Sequence, residues 1–125
     1  MKKGDKDDES VVTGEIVFDK DAKSFSGATV FVRLENVSYA DAAANVVAER
    51  VLHNVSHREG SNSKLKFELP VQDVDPKASY NVRVHVDVDG DKQISAGDYI
   101  SMESYPVLTF DYPREVSVHV HEVNS

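Results

Sequence analysis

The sequence predicts an all-β fold: an antiparallel β-sandwich of about seven strands, connected as an Ig-like or transthyretin-like Greek key. Three observations lead there. Apolar residues recur at every second position in stretch after stretch, the pattern of a strand with one buried face. Clusters of Gly, Pro, Asn, Asp and Ser separate those stretches. No long helical pattern intervenes, and strands without helical crossovers pair antiparallel. Two sheets would then bury their Val, Leu, Ile and Phe phases against each other.

The chain has 125 residues, a length that suits a single domain with its own core. Residues 1–10 are charged and lack apolar anchors, so they read as a disordered tail before a domain spanning 11–125. The first strand alternates Val12, Gly14, Ile16 and Phe18 with Val11, Thr13, Glu15 and Val17. A polar turn region covers 19–27. The second strand follows, with Val30, Val32 and Leu34 against Thr29, Phe31, Arg33 and Glu35. Phe31 falls on the polar phase, so that face is expected to be partly covered.

Residues 36–45 contain Ala42-Ala43-Ala44, which favours a helical turn, but ten residues are too few for a stable helix without packing. A weaker alternation over 46–55 reads as the third strand. Leu65, Phe67 and Leu69 mark a fourth, weakened or ended by Pro70 at a sheet edge. The cleanest strand places Val82, Val84, Val86 and Val88 on one side and Asn81, Arg83, His85 and Asp87 on the other. Tyr80 enters it just after Pro76, an arrangement resembling the tyrosine corner of Greek-key sandwiches. A strand resumes at 99–102, continues over 105–108 with a break at Pro106, and a last one carries Val116, Val118 and Val120 opposite Ser117, His119 and His121.

Composition narrows the function. The net charge of −8 disfavours nucleic acid and anionic membrane surfaces, which reward basic patches. The absence of Cys excludes disulfides and thiolate metal sites. No apolar run approaches the roughly 20 residues of a membrane span. The N-terminal lysines precede no hydrophobic region, so they do not open a signal peptide. No Gly-x-Ser-x-Gly elbow, phosphate loop or His-Glu-x-x-His motif is present, and the expectation is that the protein is not an enzyme.

Residues 87–98 stand out, with four carboxylates and one Lys in a single loop. Like charges this close resist ionising together unless water or a cation relieves them. Counting Asp87 as position 1, Asp89, Asp91 and Asp98 fall at positions 3, 5 and 12 of a calcium loop, and Gln93 at position 7 offers its carbonyl. Ile94 stands where an apolar residue would pin the loop to the core, and Ser95 where a bridging water would be held. Two departures are Lys92 in the position that calls for Gly, and Asp98 where a longer Glu is usual. Both weaken affinity, toward about 10⁻⁴ to 10⁻³ M. The alternative is an acidic hairpin loop whose Asp-Gly and Gly-Asp pairs only make turns. Separately, His119, His121 and His85 would gather for zinc or copper if their strands were neighbours, although an ordinary polar sheet face accounts for them more simply.

The blocks Val12-Thr13-Gly14-Glu15-Ile16, Leu34-Glu35-Asn36-Val37-Ser38-Tyr39-Ala40-Asp41-Ala42, Phe67-Glu68-Leu69-Pro70, Tyr80-Asn81-Val82-Arg83-Val84 and Ser104-Tyr105-Pro106-Val107-Leu108 occur in this order over residues 12–108. Together they resemble the YscW-type family, the lipoprotein chaperones (pilotins) of type III secretion and the related YbaY-type envelope lipoproteins. The resemblance implies a small β-sandwich, attachment to the envelope through a lipidated Cys, and for some members a chaperone role toward secretins. It assigns no catalytic residue. The Cys is not in this sequence, so an envelope location, periplasmic or extracellular, requires that a lipoprotein leader was removed; otherwise the location is cytoplasmic.

The reading that follows is a monomeric, non-catalytic, envelope-associated β-sandwich binding module. Its hairpin loop would hold calcium through Asp87, Asp89, Asp91, Gln93 and Asp98. The alternative is a pilotin-like chaperone or assembly factor, binding a segment of an envelope or secretion protein on an exposed sheet edge.

Overall fold

A computed structural model describes residues 9–19, 21–38, 45–61 and 64–123. Among the described residues eight strands follow in order: β1 (Glu9–Phe18), β2 (Phe25–Asn36), β3 (Asn45–His57), β4 (Lys64–Gln72), β5 (Tyr80–Asp87), β6 (Tyr99–Ser101), β7 (Pro106–Val107) and β8 (Glu115–Glu122). No helix occurs among the described residues. The helical turn expected within 36–45 falls largely on residues outside the description. So does most of the expected N-terminal tail, but Glu9 and Ser10 belong to β1 and pair with Gln72 and Val71.

The all-β expectation holds, whereas the two-sheet Ig-like sandwich does not. One sheet runs in the order β3-β2-β5-β6-β8-β1-β4, with β7 paired to β5 off that path. Its two end strands, β3 and β4, come back against each other, so the sheet is nearly closed and barrel-like. The physical reason lies in the twist. A long twisted sheet with one apolar face can bury that face by coiling on itself, without a second sheet. Register shifts along the β2–β3 pair, at Phe25/Ala28, Ala28/Val30 and Leu34/Glu35, add curvature there.

The period-two phases lie where the sequence placed them. Val12, Ile16, Val30, Val32, Leu34, Leu69, Val82, Val84, Val86 and Val118 are wholly buried in one core. Each such side chain contributes on the order of 1.5–3 kcal/mol by leaving water. Pro70 does not end β4, which continues to Gln72. It is tolerated because β4 is an end strand, where a missing N–H need not break a ladder. Phe31 is half-buried on the outer face, stacked on His85 at 5.8 Å, with Arg33 lying 5.1 Å over its ring.

One pairing departs from the antiparallel expectation. β1 runs parallel to β8, with Thr13 opposite Glu115 and Phe18 opposite Val120, while its other side pairs antiparallel with β4. Gly14 makes this pairing possible. A Cβ there would stand 2.2 Å from the Val116 carbonyl oxygen and 2.8 Å from the Phe67 ring.

The corner before β5 is closed by Tyr80, whose hydroxyl accepts the Asp75 backbone N–H at 2.9 Å. This is the bond that defines a tyrosine corner. The two short strands are fixed by polar anchors on β5: Val84 N–H donates to the Ser101 hydroxyl at 3.0 Å, and the Asn81 side-chain oxygen accepts the Tyr105 N–H.

Candidate functional site

The β5–β6 hairpin carries the acidic loop. β5 ends at Asp87 and β6 begins at Tyr99, paired through His85↔Ile100 and Val86↔Tyr99. Period two sends Asp87 to the outer phase, yet it is 1% exposed, and so is Asp98. Loop donors satisfy both. The Asp87 carboxylate accepts the N–H groups of Gly90 at 3.0 Å and Lys92 at 2.8 Å. The Asp98 carboxylate accepts from Val88 N–H at 3.0 Å and Ser95 N–H at 3.3 Å, and meets His85 Nε2 at 2.9 Å.

Asp89 and Asp91 stand exposed at the loop's mouth. Asp89 takes the Ser95 hydroxyl at 2.9 Å and the Asp91 N–H at 3.3 Å; Asp91 takes the Gln93 N–H at 2.9 Å. The Ser95 hydroxyl holds the Asp89 carboxyl below its ordinary value. The loop thus brings Asp87, Asp89, Asp91 and Asp98 together, with one oxygen from each lying within 4.8 Å of the others. Gln93 contributes only its N–H to the bonds described. Lys92, in the Gly position, adopts φ 65°, the left-handed conformation that the loop requires there. Ile94 is not the expected anchor: it is 59% exposed. Its role is taken by the bonds from Gly97 N–H to the Val123 carbonyl and from Val123 N–H to the Asp98 carbonyl, at 3.0 and 2.8 Å.

His85 was not foreseen as part of this loop, although its place two residues before Asp87 on the same phase is the signal that links them. The conditional grouping of His85, His119 and His121, which an ordinary polar sheet face already explained more simply, does not form. His85 turns to Asp98, while His119 and His121 meet Asp19 at the end of β1. The rings of His119 and His121 stack 4.8 Å apart.

A groove of about 750 Å³ opens where the sheet fails to close. Residues 13–15 of β1, Arg50 and Leu52 of β3, 66–68 of β4 and 115–117 of β8 line it. Arg50 is opposite Val32 and Leu52 opposite Val30, so both lie on the inward phase of an end strand. At the other end of β3, Val46 pairs with Glu35 while Ala48 pairs with Leu34, leaving Val47 as an extra residue. Val46 and Val47 are 51% and 45% exposed. Only the three-dimensional closure gathers these residues, so the sequence carried no signal for the groove.

The fold has a solved counterpart. It is similar to an alternative pilotin from the type II secretion system of Vibrio cholerae, with a TM-score of 0.74 and 24% identity, covering 94% of this chain and 99% of that one. At that identity the likeness is one of fold. No curated protein sequence matches the chain. The family model described as type III secretion system lipoprotein chaperone (YscW) matches residues 7–120, nearly the whole length and all of the blocks that carried the resemblance in sequence. The chain belongs to the YscW family.

Proposed function

We propose that this protein is a pilotin-like chaperone of the cell envelope that binds an extended segment of a secretion protein, a secretin by chemical class of partner. The observation that carries the reading is the family match over residues 7–120, and the pilotin fold agrees with it. The geometry supports this reading. β3 is 13 residues long, stands at one end of the sheet and keeps most of its side chains in solvent. Such an edge offers unpaired N–H and C=O groups to an incoming strand. The opposite end is less receptive, because Pro70 removes a donor from β4. The groove beside β3 supplies Leu52 and Phe67 for an apolar side chain, and Glu15, Glu68 and Glu115 for a basic one.

The test uses overlapping peptides that tile the secretin of the same secretion system, with binding read by fluorescence anisotropy in EDTA. One segment is expected to bind, and Leu52→Glu to weaken it at least about tenfold, the scale of a lost interface anchor. Absence of binding by every peptide, or binding indifferent to Leu52→Glu and Val47→Lys, would reject the reading.

A second reading concerns the acidic loop, which we propose as a calcium site. Its support is the donor set: four carboxylates converge on a loop already turned left-handed at Lys92. Oxygen-only ligands suit a hard cation. Asp87, Asp89, Asp91 and Asp98 would hold the ion and the Gln93 carbonyl would add to them. Calcium at ten times its dissociation constant would add about 1.4 kcal/mol to stability by mass action. Calorimetric titration of the metal-free protein decides: no heat and an unchanged Tm at millimolar calcium would rule the site out, while Asp89→Asn should weaken any binding seen.

A further inference from the structure

We infer that Asp19, His119 and His121 form a second metal site, of different chemistry from the acidic loop: a site for a borderline transition-metal cation such as zinc. Topology builds it. In β8, Val118 and Val120 are buried, so His119 and His121, two residues apart, stand on the same outer face. β1 runs parallel beside them, with Val17 opposite His119 and Phe18 opposite Val120. The residue after Phe18 is Asp19, which therefore arrives level with His121 and meets His119 from a hundred residues away. One ligand atom from each of the three lies within 4.8 Å of the others. A tetrahedral zinc with bonds of about 2.0–2.1 Å needs its ligands about 3.3 Å apart. Small side-chain rotations close that difference.

The surrounding bonds assign the ring nitrogens. His119 Nε2 already points at the Asp19 carboxylate. His121 Nδ1 lies 3.9 Å from the same carboxylate, while its Nε2 meets Glu103 at 2.8 Å. A histidine that ligates through one nitrogen usually holds a carboxylate with the other, which fixes its ring and raises its basicity. Glu103 stands in that position. It is itself held by the Tyr105 hydroxyl at 2.9 Å, and the Tyr105 oxygen accepts the His119 backbone N–H at 2.9 Å. The ligands are thus Asp19, His119 Nε2 and His121 Nδ1, with Glu103 and Tyr105 orienting them. Two imidazoles and one carboxylate favour zinc, copper or nickel over calcium, whose ligands are oxygens.

The experiment is calorimetric titration of the untagged full chain with zinc chloride near neutral pH, with calcium present in excess to fill the acidic loop. One zinc per chain is expected. His121→Gln and Asp19→Asn should each weaken it at least about tenfold, and Asp89→Asn should leave it unchanged. In the unaltered protein, zinc should shift the imidazole proton resonances of His119 and His121 and spare those of His53 and His85, a readout independent of whether the variants fold. The site is overturned if no heat appears up to about 0.1 mM zinc, a weak limit for such a ligand set, if zinc moves the His85 resonance instead, or if Asp89→Asn abolishes the binding.

Discussion

Gly14 shows how much a single position can decide. Alternation places it among Val12, Ile16 and Phe18, and by pattern alone a strand-former is equally suited there. The parallel contact with β8 leaves no room for a side chain, because a Cβ would overlap the Val116 carbonyl oxygen. Gly14→Ala must push backbone apart, so it should destabilise the fold by about 1–3 kcal/mol, the range of overpacked sites. Urea denaturation measures this, and a neutral result would mean that the β1–β8 pairing is looser than the geometry states. Ser95 offers a test of electrostatics at the same scale. Its hydroxyl keeps the exposed Asp89 carboxyl below its usual value. A lowered carboxyl contributes stability that is full above the ordinary carboxylate range and fades as pH falls through the lowered value. Ser95→Ala should therefore return the Asp89 titration upward, as read by carboxyl carbon shifts, and should shrink the acid-dependent part of stability.

Among the elements, the β5–β6 hairpin combines what was legible with what was not. The four carboxylates and their spacing could be read directly, and so could the two flanking strands. Burial of Asp87 and Asp98 could not, because period two describes a flat strand and not the way a loop folds back over its own end. Nor could the exposure of Ile94. The loop is tied down by polar bonds, those to the Asp98 carboxylate and the backbone bonds of Gly97 and Asp98 with Val123, not by an apolar plug. Asp98→Ala would leave His85 Nε2 and two backbone N–H groups without their acceptor. Bonds to a carboxylate in such a place are worth about 1.5–3 kcal/mol. A loss of that size is expected in chemical denaturation without calcium, and Asp98→Asn, which keeps the shape, should lose less. A loss below about 0.5 kcal/mol would mean that solvent replaces those bonds.

At the level of the whole molecule, the residues in the core and the topology they adopt have different origins. Inward phases, turn positions, the tyrosine corner and the family blocks are local patterns, and local sequence determined them. Strand order is not local. The same alternating strands could form two packed sheets or one coiled sheet, since both bury the Val, Leu and Ile phases equally well. Tertiary structure selected the coiled sheet, and with it the parallel β1–β8 pair. That choice created the groove between β3 and β4, brought Asp19 to His119 and His121, and sent His85 to Asp98 instead. The sequence by itself determined an all-β member of the YscW family with a concentrated acidic hairpin. Only tertiary structure decided which distant side chains meet, because hydrophobic burial is satisfied by many pairings, whereas twist, bulges and the close contact at Gly14 are satisfied by few.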